Sequence, residues 1–144
     1  MSTLFDVTES PENWRYGDPV RQELGVEFKS AKGRKVFGLK GDDDKWKAFL
    51  CCAFTRKVPK DIGELDIFTE TPGKIAVPYT VWSLERGYGS KIVREVVEHV
   101  KKHKLAQRVV TLSPLTEMAR KFHLKNKAVE LQRNDCSVNF EYTL

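Results

Sequence analysis

Three places in the sequence hold groups suited to chemistry. The stretch "SLERGYGSKIV" (83–93) passes from a strand-like segment through Gly87 and Gly89 into a periodic helix. The first N–H groups of a helix have no intrahelical partner and lie at the positive end of its dipole. Arg86, Gly87, Tyr88, Gly89 and Ser90 therefore form a candidate anion seat. The two glycines let a phosphate approach with no Cβ in the way. The pattern is neither GxGxxG nor GxxxxGK[ST], so no Rossmann or P-loop reading follows. The second place is His123 in "KFHLK" (121–125), whose imidazole titrates near neutrality and can move a proton. A lone histidine in an apolar context equally fits a packed, hydrogen-bonded residue. The third is the hydroxyl of Thr80 inside the apolar strand "KIAVPYTVWSL" (74–84).

Other polar groups near these have simpler readings beside the chemical one. Asn126 can donate to a ligand or end a helix in the left-handed conformation. Thr116 suits a helix N-cap, and Ser113 either caps the same helix or touches a ligand, with the cap favoured. "GDDD" (41–44) lacks the positions of a calcium loop and reads as a solvated turn. Cys51 and Cys52 are adjacent in a strand and Cys136 is remote, with no metal-ligand spacing. No metal is expected. The cysteines read as small core residues of a reducing, cytoplasmic protein.

The elements that must position these groups follow from pattern. "SPENW" (10–14) and "DPVRQELG" (18–25) each pair a cap with proline, which predicts short helices in residues 1–32. Residues 33–55 read as a hairpin with strands over 34–40 and 45–55, and 56–73 as a linker holding one short helix or strand. Pro78 inside the next strand cannot donate to a ladder and predicts a bulge or an unpaired edge. Ile92, Val93, Val96, Val97 and Val100 give a helix over 89–103 one apolar face. Its end, "HVKKHK" (99–104), places cations against the dipole. A strand over 107–114, a helix over 116–126 and a closing hairpin (128–132, 137–144) complete a mixed α/β sheet.

With 144 residues, 40% hydrophobic and 31% charged, the chain suits one soluble domain with a proper core. No apolar window is long enough for a membrane span, and the N-terminus "MSTLFDVTESPENW" does not read as a secretory signal. The net charge of +5 suits a polyphosphate ligand as well as nucleic acid, and no nucleic-acid motif accompanies it.

Taken together, the Pro78 strand, the RGYG turn, the amphipathic helix, the next strand and the second helix resemble the core of the GCN5-related acetyltransferase (GNAT) superfamily. That resemblance implies a mixed central sheet with flanking helices, splayed strands forming an acyl-coenzyme A cleft, and a pyrophosphate seat at the turn. Leu84 departs from the Arg or Gln usual there. A narrower resemblance covers 33–144. "FHLKNKAVELQRND" (122–135) is similar to the FHLxNGA signature of malonyl-CoA decarboxylase, a GNAT-fold enzyme. "VVTLSPL" (109–115) resembles its TLSPIPG segment, "VPYTVWS" (77–83) its FYSIS strand, "SVNFEY" (137–142) its VNYxY strand, and 33–54 its opening hairpin. The family's helical N-terminal domain and the long segment between its TLSP and FHL regions have no counterpart here, so the likeness is to a reduced catalytic domain.

The resemblance implies a lyase of fatty acid metabolism that turns malonyl-CoA into acetyl-CoA and CO2. His123 stands at the catalytic histidine, as proton donor, and Thr80 at the catalytic serine, holding the malonyl carboxylate. Arg86, Gly87, Tyr88, Gly89, Ser90, Thr116 and Asn126 stand on the coenzyme A side. Cys51 replaces an acidic residue of the family and Lys127 the glycine of NGA. Two further readings stay open. An N-acetyltransferase would need a base, for which Glu85, Glu64, Asp66 and Glu70 are the candidates. A catalytically inactive fold would act as a binding partner. The expected partner is a small acyl-CoA molecule, with a homodimer left open and neither membrane nor nucleic acid expected.

Overall fold

A computed structural model describes residues 2–144. Strand β1 (Thr3–Asp6) leads through a 3-10 turn at Pro11–Asn13 and a loop to the four-residue helix α1 (Val26–Lys29). Strands β2 (Arg34–Lys40) and β3 (Trp46–Thr55) form the expected hairpin. Helix α2 (Ile62–Phe68) follows, its N-cap Asp61 accepting from the Glu64 amide. Strand β4 (Ile75–Ser83) leads into helix α3 (Tyr88–His103), then strands β5 (Arg108–Val110) and β6 (Ser113–Pro114). Helix α4 (Glu117–Lys125) and the hairpin β7 (Val129–Arg133) and β8 (Ser137–Tyr142) close the chain. The sheet runs β1-β2-β3-β4-β5-β8-β6, with β7 also on β8. Among the described residues only β4 and β5 pair in parallel.

The sheet separates two cores. On one face Phe37, Leu50, Cys52, Ala76 and Phe140 meet Ile92, Val93, Val96 and Val100 of α3, as the helical spacing requires. On the other, Val36, Phe49, Cys51, Val77, Tyr79 and Trp82 meet Trp14 and Leu65. Adjacent Cys51 and Cys52 thus point to opposite faces, as the pleat dictates. Both thiols are buried, and burial pushes Cys52 up to about 12.

Two features of β4 create a cleft. Cys51 pairs with Thr80 and Cys52 with Pro78, so Tyr79 is the extra residue of a bulge, where Pro78 has no N–H to give. Pairing of β4 with β5 stops after Ala76 and Val109, and the Leu112 amide makes one last bond to Pro78 O at 2.9 Å. The chain then turns away, and Ser113 pairs with Val138 of β8. The two strands diverge from that point.

Several expectations are corrected. Residues 18–25 form no helix. Asp18 accepts from the amides of Val20 and Arg21 as a cap would, but the chain does not continue helically, because Asp18 and Arg21 are held by partners elsewhere in the fold. Strand β1 carries no clear alternation in sequence and forms because the edge of β2 pairs with it. The strand expected over 107–114 is broken at Thr111 and Leu112, where it changes neighbours. Asn126 is not left-handed (φ −87°); Lys127 is (φ 73°), at the place of the family's glycine. A Cβ in that region costs about 1 kcal/mol. Lys127→Gly is expected to raise stability by about 0.5–1 kcal/mol, read as a few degrees in Tm.

Candidate active site

A cavity of about 300 Å³ opens where β4 and the β5–β6 segment part, with α4 along its side. Pro78, Thr80, Trp82, Gly89, Ser113 and His123 are on its wall, so the fold brings together residues far apart in sequence. Among the described residues lining it there is no Asp, Glu, Lys or Arg.

His123 lies on the inner face of α4, 7% exposed, stacked on Phe140 with ring centroids 5.1 Å apart. Its Nδ1 is 2.7 Å from Tyr142 Oη and its Nε2 is 3.1 Å from Ser113 Oγ. Burial pushes its pKa down to about 4. The sequence reading of a donor titrating near neutrality is corrected accordingly: at pH 7 this imidazole is neutral. A neutral ring carries one hydrogen. The Tyr142 hydroxyl has no other acceptor among the described residues, so we assign its proton to the bond with Nδ1 and the ring hydrogen to Nε2, which then donates to Ser113. Burial also raises the Tyr142 pKa, which keeps the phenol protonated. The cap of α4 is Thr116, whose Oγ1 accepts from the Ala119 amide at 3.1 Å, and not Ser113, which the sequence favours for that role.

Thr80 is buried and its hydroxyl donates to Asp18, 2.9 Å from Oδ1 and 3.0 Å from Oδ2. Asp18 in turn pairs with Lys29 at 2.8 Å, both side chains under 5% exposed. Burial opposes the charge on Asp18, but the bonds from Lys29 and the Arg21 and Val20 amides outweigh it and hold the carboxyl below its usual range. Toward the cavity Thr80 therefore presents oxygen lone pairs, its one hydrogen being committed. Arg21 spans the parting strands from behind, Nε to Tyr79 O and Nη2 to Leu112 O, each 3.1 Å. Cys51, at the position of the family's acid, faces Thr80 across the ladder with its thiol pushed up by burial.

At the turn, Gly87 is the N-cap with φ 89°, a conformation that explains its lack of a side chain. The Tyr88 amide, expected to be free, points to Glu85 O at 3.3 Å, which leaves Gly89 and Ser90 as the open first-turn donors. Arg86 is exposed, and Leu84 is 61% exposed. Gly89 differs from Gly87. A Cβ built there would lie 3.5 Å from Phe122 and 3.9 Å from Ser83, ordinary contacts. Neither backbone nor packing demands glycine at 89, yet the residue borders the cavity. Ser90 Oγ accepts from Asn126 Nδ2 at 3.0 Å, tying the start of α3 to the end of α4, away from the cavity wall.

Sequence reasoning missed Tyr142, Asp18, Lys29 and Arg21 as neighbours of the site. The quoted segments contained Tyr142 and Ser113, but nothing in their spacing pairs them with a histidine in α4. Asp18 could have been found only as a cap without a helix.

Comparison with known proteins bears on the fold. No protein-family model matches the chain, and no curated protein matches it in sequence. Among solved structures, malonyl-CoA decarboxylase from Agrobacterium vitis superposes with a TM-score of 0.66 at 22% identity, over 83% of this chain and 35% of that one. The chain thus spans about a third of that enzyme's length. The loading GNATL domain of CurA from Lyngbya majuscula gives 0.70 at 13% identity, over 99% and 97% of the two chains. NAA60 of Arabidopsis thaliana in complex with acetyl-CoA gives 0.64 at 12% identity, over 99% and 98%. The chain has the GNAT fold, is of single-domain size, and is similar in fold to the corresponding part of malonyl-CoA decarboxylase. No helix among the described residues is long and apolar enough to cross a membrane.

Proposed function

We propose that the chain binds acyl-coenzyme A at the β4–α3 turn and decarboxylates malonyl-CoA in the cavity between the parted strands. The observation that carries this reading is His123, buried and neutral on the cavity wall, with a hydrogen-bond donor behind its Nδ1 and a hydroxyl at its Nε2.

The chemistry follows from these groups. Among the described residues no cation lines the cavity, so a malonyl carboxylate there has no fixed counter-charge from them and is relieved of its charge by leaving as CO2. The electron pair of the breaking C–C bond passes into the thioester as an enolate. Carbon 2 then takes the Nε2 proton of His123, whose bond to Ser113 gives way, while Nδ1 takes the Tyr142 phenolic proton; after the products leave, a proton from solvent enters through the cavity at Nε2 and Nδ1 returns its own to Tyr142. One proton is consumed, and the products are acetyl-CoA and CO2. An oxygen acceptor such as Thr80 suits the pantetheine amides rather than the carboxylate, which Asp18 behind it would repel.

Acetyl transfer to an amine is less well supported. Glu64, Asp66, Glu70 and Glu85 do not line the cavity, and the ring nitrogen facing Ser113 already carries its hydrogen. Incubation with malonyl-CoA should release acetyl-CoA and CO2, and absence of both would overturn the decarboxylase reading.

Gly89 gives a separate test of the seat. Gly89→Ala is expected to leave stability unchanged or raise it by up to about 1 kcal/mol. If a phosphate packs against this backbone, the same change weakens coenzyme A binding about tenfold or more by calorimetry. Unchanged affinity would reduce the glycine-rich turn to a connection.

A further inference from the structure

The hydrogen-bonded chain around His123 extends one step beyond the histidine. Ser113 is 3% exposed, and its Oγ is 3.1 Å from His123 Nε2 and 2.8 Å from Thr111 Oγ1. Thr111 Oγ1 also accepts the Phe140 amide at 3.1 Å. Counting donors assigns a direction to each bond. Tyr142 donates to Nδ1, since otherwise its proton is buried without an acceptor, and Nε2–H then donates to Ser113. Thr111 is 1% exposed, and Ser113 is the one acceptor among the described residues for its hydroxyl proton. Ser113 Oγ thus receives two hydrogens, and its own is the one proton of the chain with no protein acceptor. Ser113 is also the member, with His123, that lines the cavity. Tyr142 and Thr111 do not line it.

We infer that Ser113 is a catalytic residue, a fixed hydroxyl donor aimed at the carbonyl oxygen of a bound thioester. A hydrogen bond preset toward the place where negative charge develops stabilises the enolate more than the ground-state carbonyl. The two bonds that Ser113 accepts polarise its own O–H and hold it in place. The same direction of bonding excludes the other role that a Ser–His pair suggests. Nε2 carries a hydrogen and cannot take the serine proton, so Ser113 donates and does not attack. The inference rests on the acyl-CoA reading above, but not on decarboxylation itself.

The test compares acetyl-CoA with S-ethyl-CoA, a thioether lacking the carbonyl oxygen, by calorimetry on the whole chain. Wild type is expected to prefer the thioester, and Ser113→Ala to lose about fivefold to tenfold of that preference with thioether affinity unchanged. Ser113→Thr, which keeps the hydroxyl, should retain it. Malonyl-CoA turnover should fall about 10²–10³-fold in Ser113→Ala. Nitrogen-15 NMR of the wild type should give His123 protonated at Nε2, a measurement that needs no variant to fold.

Several results would overturn the role: the Nδ1–H tautomer, no thioester preference in wild type, a preference untouched by Ser113→Ala, or an acyl adduct on Ser113. If wild type fails to release CO2 but the preference collapses in Ser113→Ala, the decarboxylase reading falls and the donor role stands. If neither ligand binds, both fall.

Discussion

His123→Ala is expected to lower malonyl-CoA turnover by about 10²–10⁴-fold, the usual span for a positioned proton donor, while coenzyme A affinity changes little. The turn that would seat the pyrophosphate shares no hydrogen bond with the imidazole. The pH dependence is more diagnostic than the loss itself. Burial holds His123 at about 4, so the neutral ring is the working form. Turnover should show no inflection near 6.5 and stay level from pH 8 to about 5. Stability moves the other way from a histidine that gains a partner carboxylate. The unfolded chain binds a proton near 6.5 and the folded one only near 4, so below pH 6.5 the unfolded state binds more protons. Stability attributable to His123 is intact above that value and falls as pH drops toward 4, by about 3 kcal/mol in all. His123→Ala should remove this acid-side loss. A turnover profile with a midpoint near 6.5, or a folded alanine variant working at the wild-type rate, would refute the neutral-donor mechanism.

Asp18→Ala is expected to be the most damaging single change to stability. It leaves the Lys29 ammonium buried without its carboxylate and takes the acceptor from Thr80. Breaking a buried pair from one side costs about 3–5 kcal/mol, a large part of the 5–15 kcal/mol or so that holds a domain together. A fall in Tm on the order of 10 °C should follow. Removing both charges with Asp18→Asn and Lys29→Met should recover most of the loss, because no uncompensated charge then remains. Urea unfolding of the two variants beside the wild type would check this. If the single and paired changes cost the same, an uncompensated Lys29 charge is not the source of the loss.

The legible parts of this fold were those governed by local periodicity. The apolar face of α3, the hairpin of β2 and β3, the Thr116 cap and the bulge forced by Pro78 each depend on neighbours within a few positions. The N-terminal quarter was misread for the same reason. Asp18-Pro19 carries a strong local signal for a helix start, and a tertiary ion pair with Lys29 outweighed it.

By itself, the sequence determined that this chain is a mixed α/β domain with a glycine-rich turn feeding an amphipathic helix. It also placed His123 in the following helix, behind the Thr116 cap, and only a resemblance to malonyl-CoA decarboxylase set that histidine at a catalytic position. It could not determine the state of that histidine. A pKa depends on burial and on partners, and the partners Ser113 and Tyr142 lie 10 and 19 residues away along the chain. Nor could it tell the two glycines apart. Gly87 answers to its own backbone angle, whereas Gly89 is left unexplained by packing once Phe122 of α4 is seen to leave room for a methyl group. Only the folded arrangement decides such questions, because desolvation and hydrogen-bond direction are properties of what surrounds a group in space.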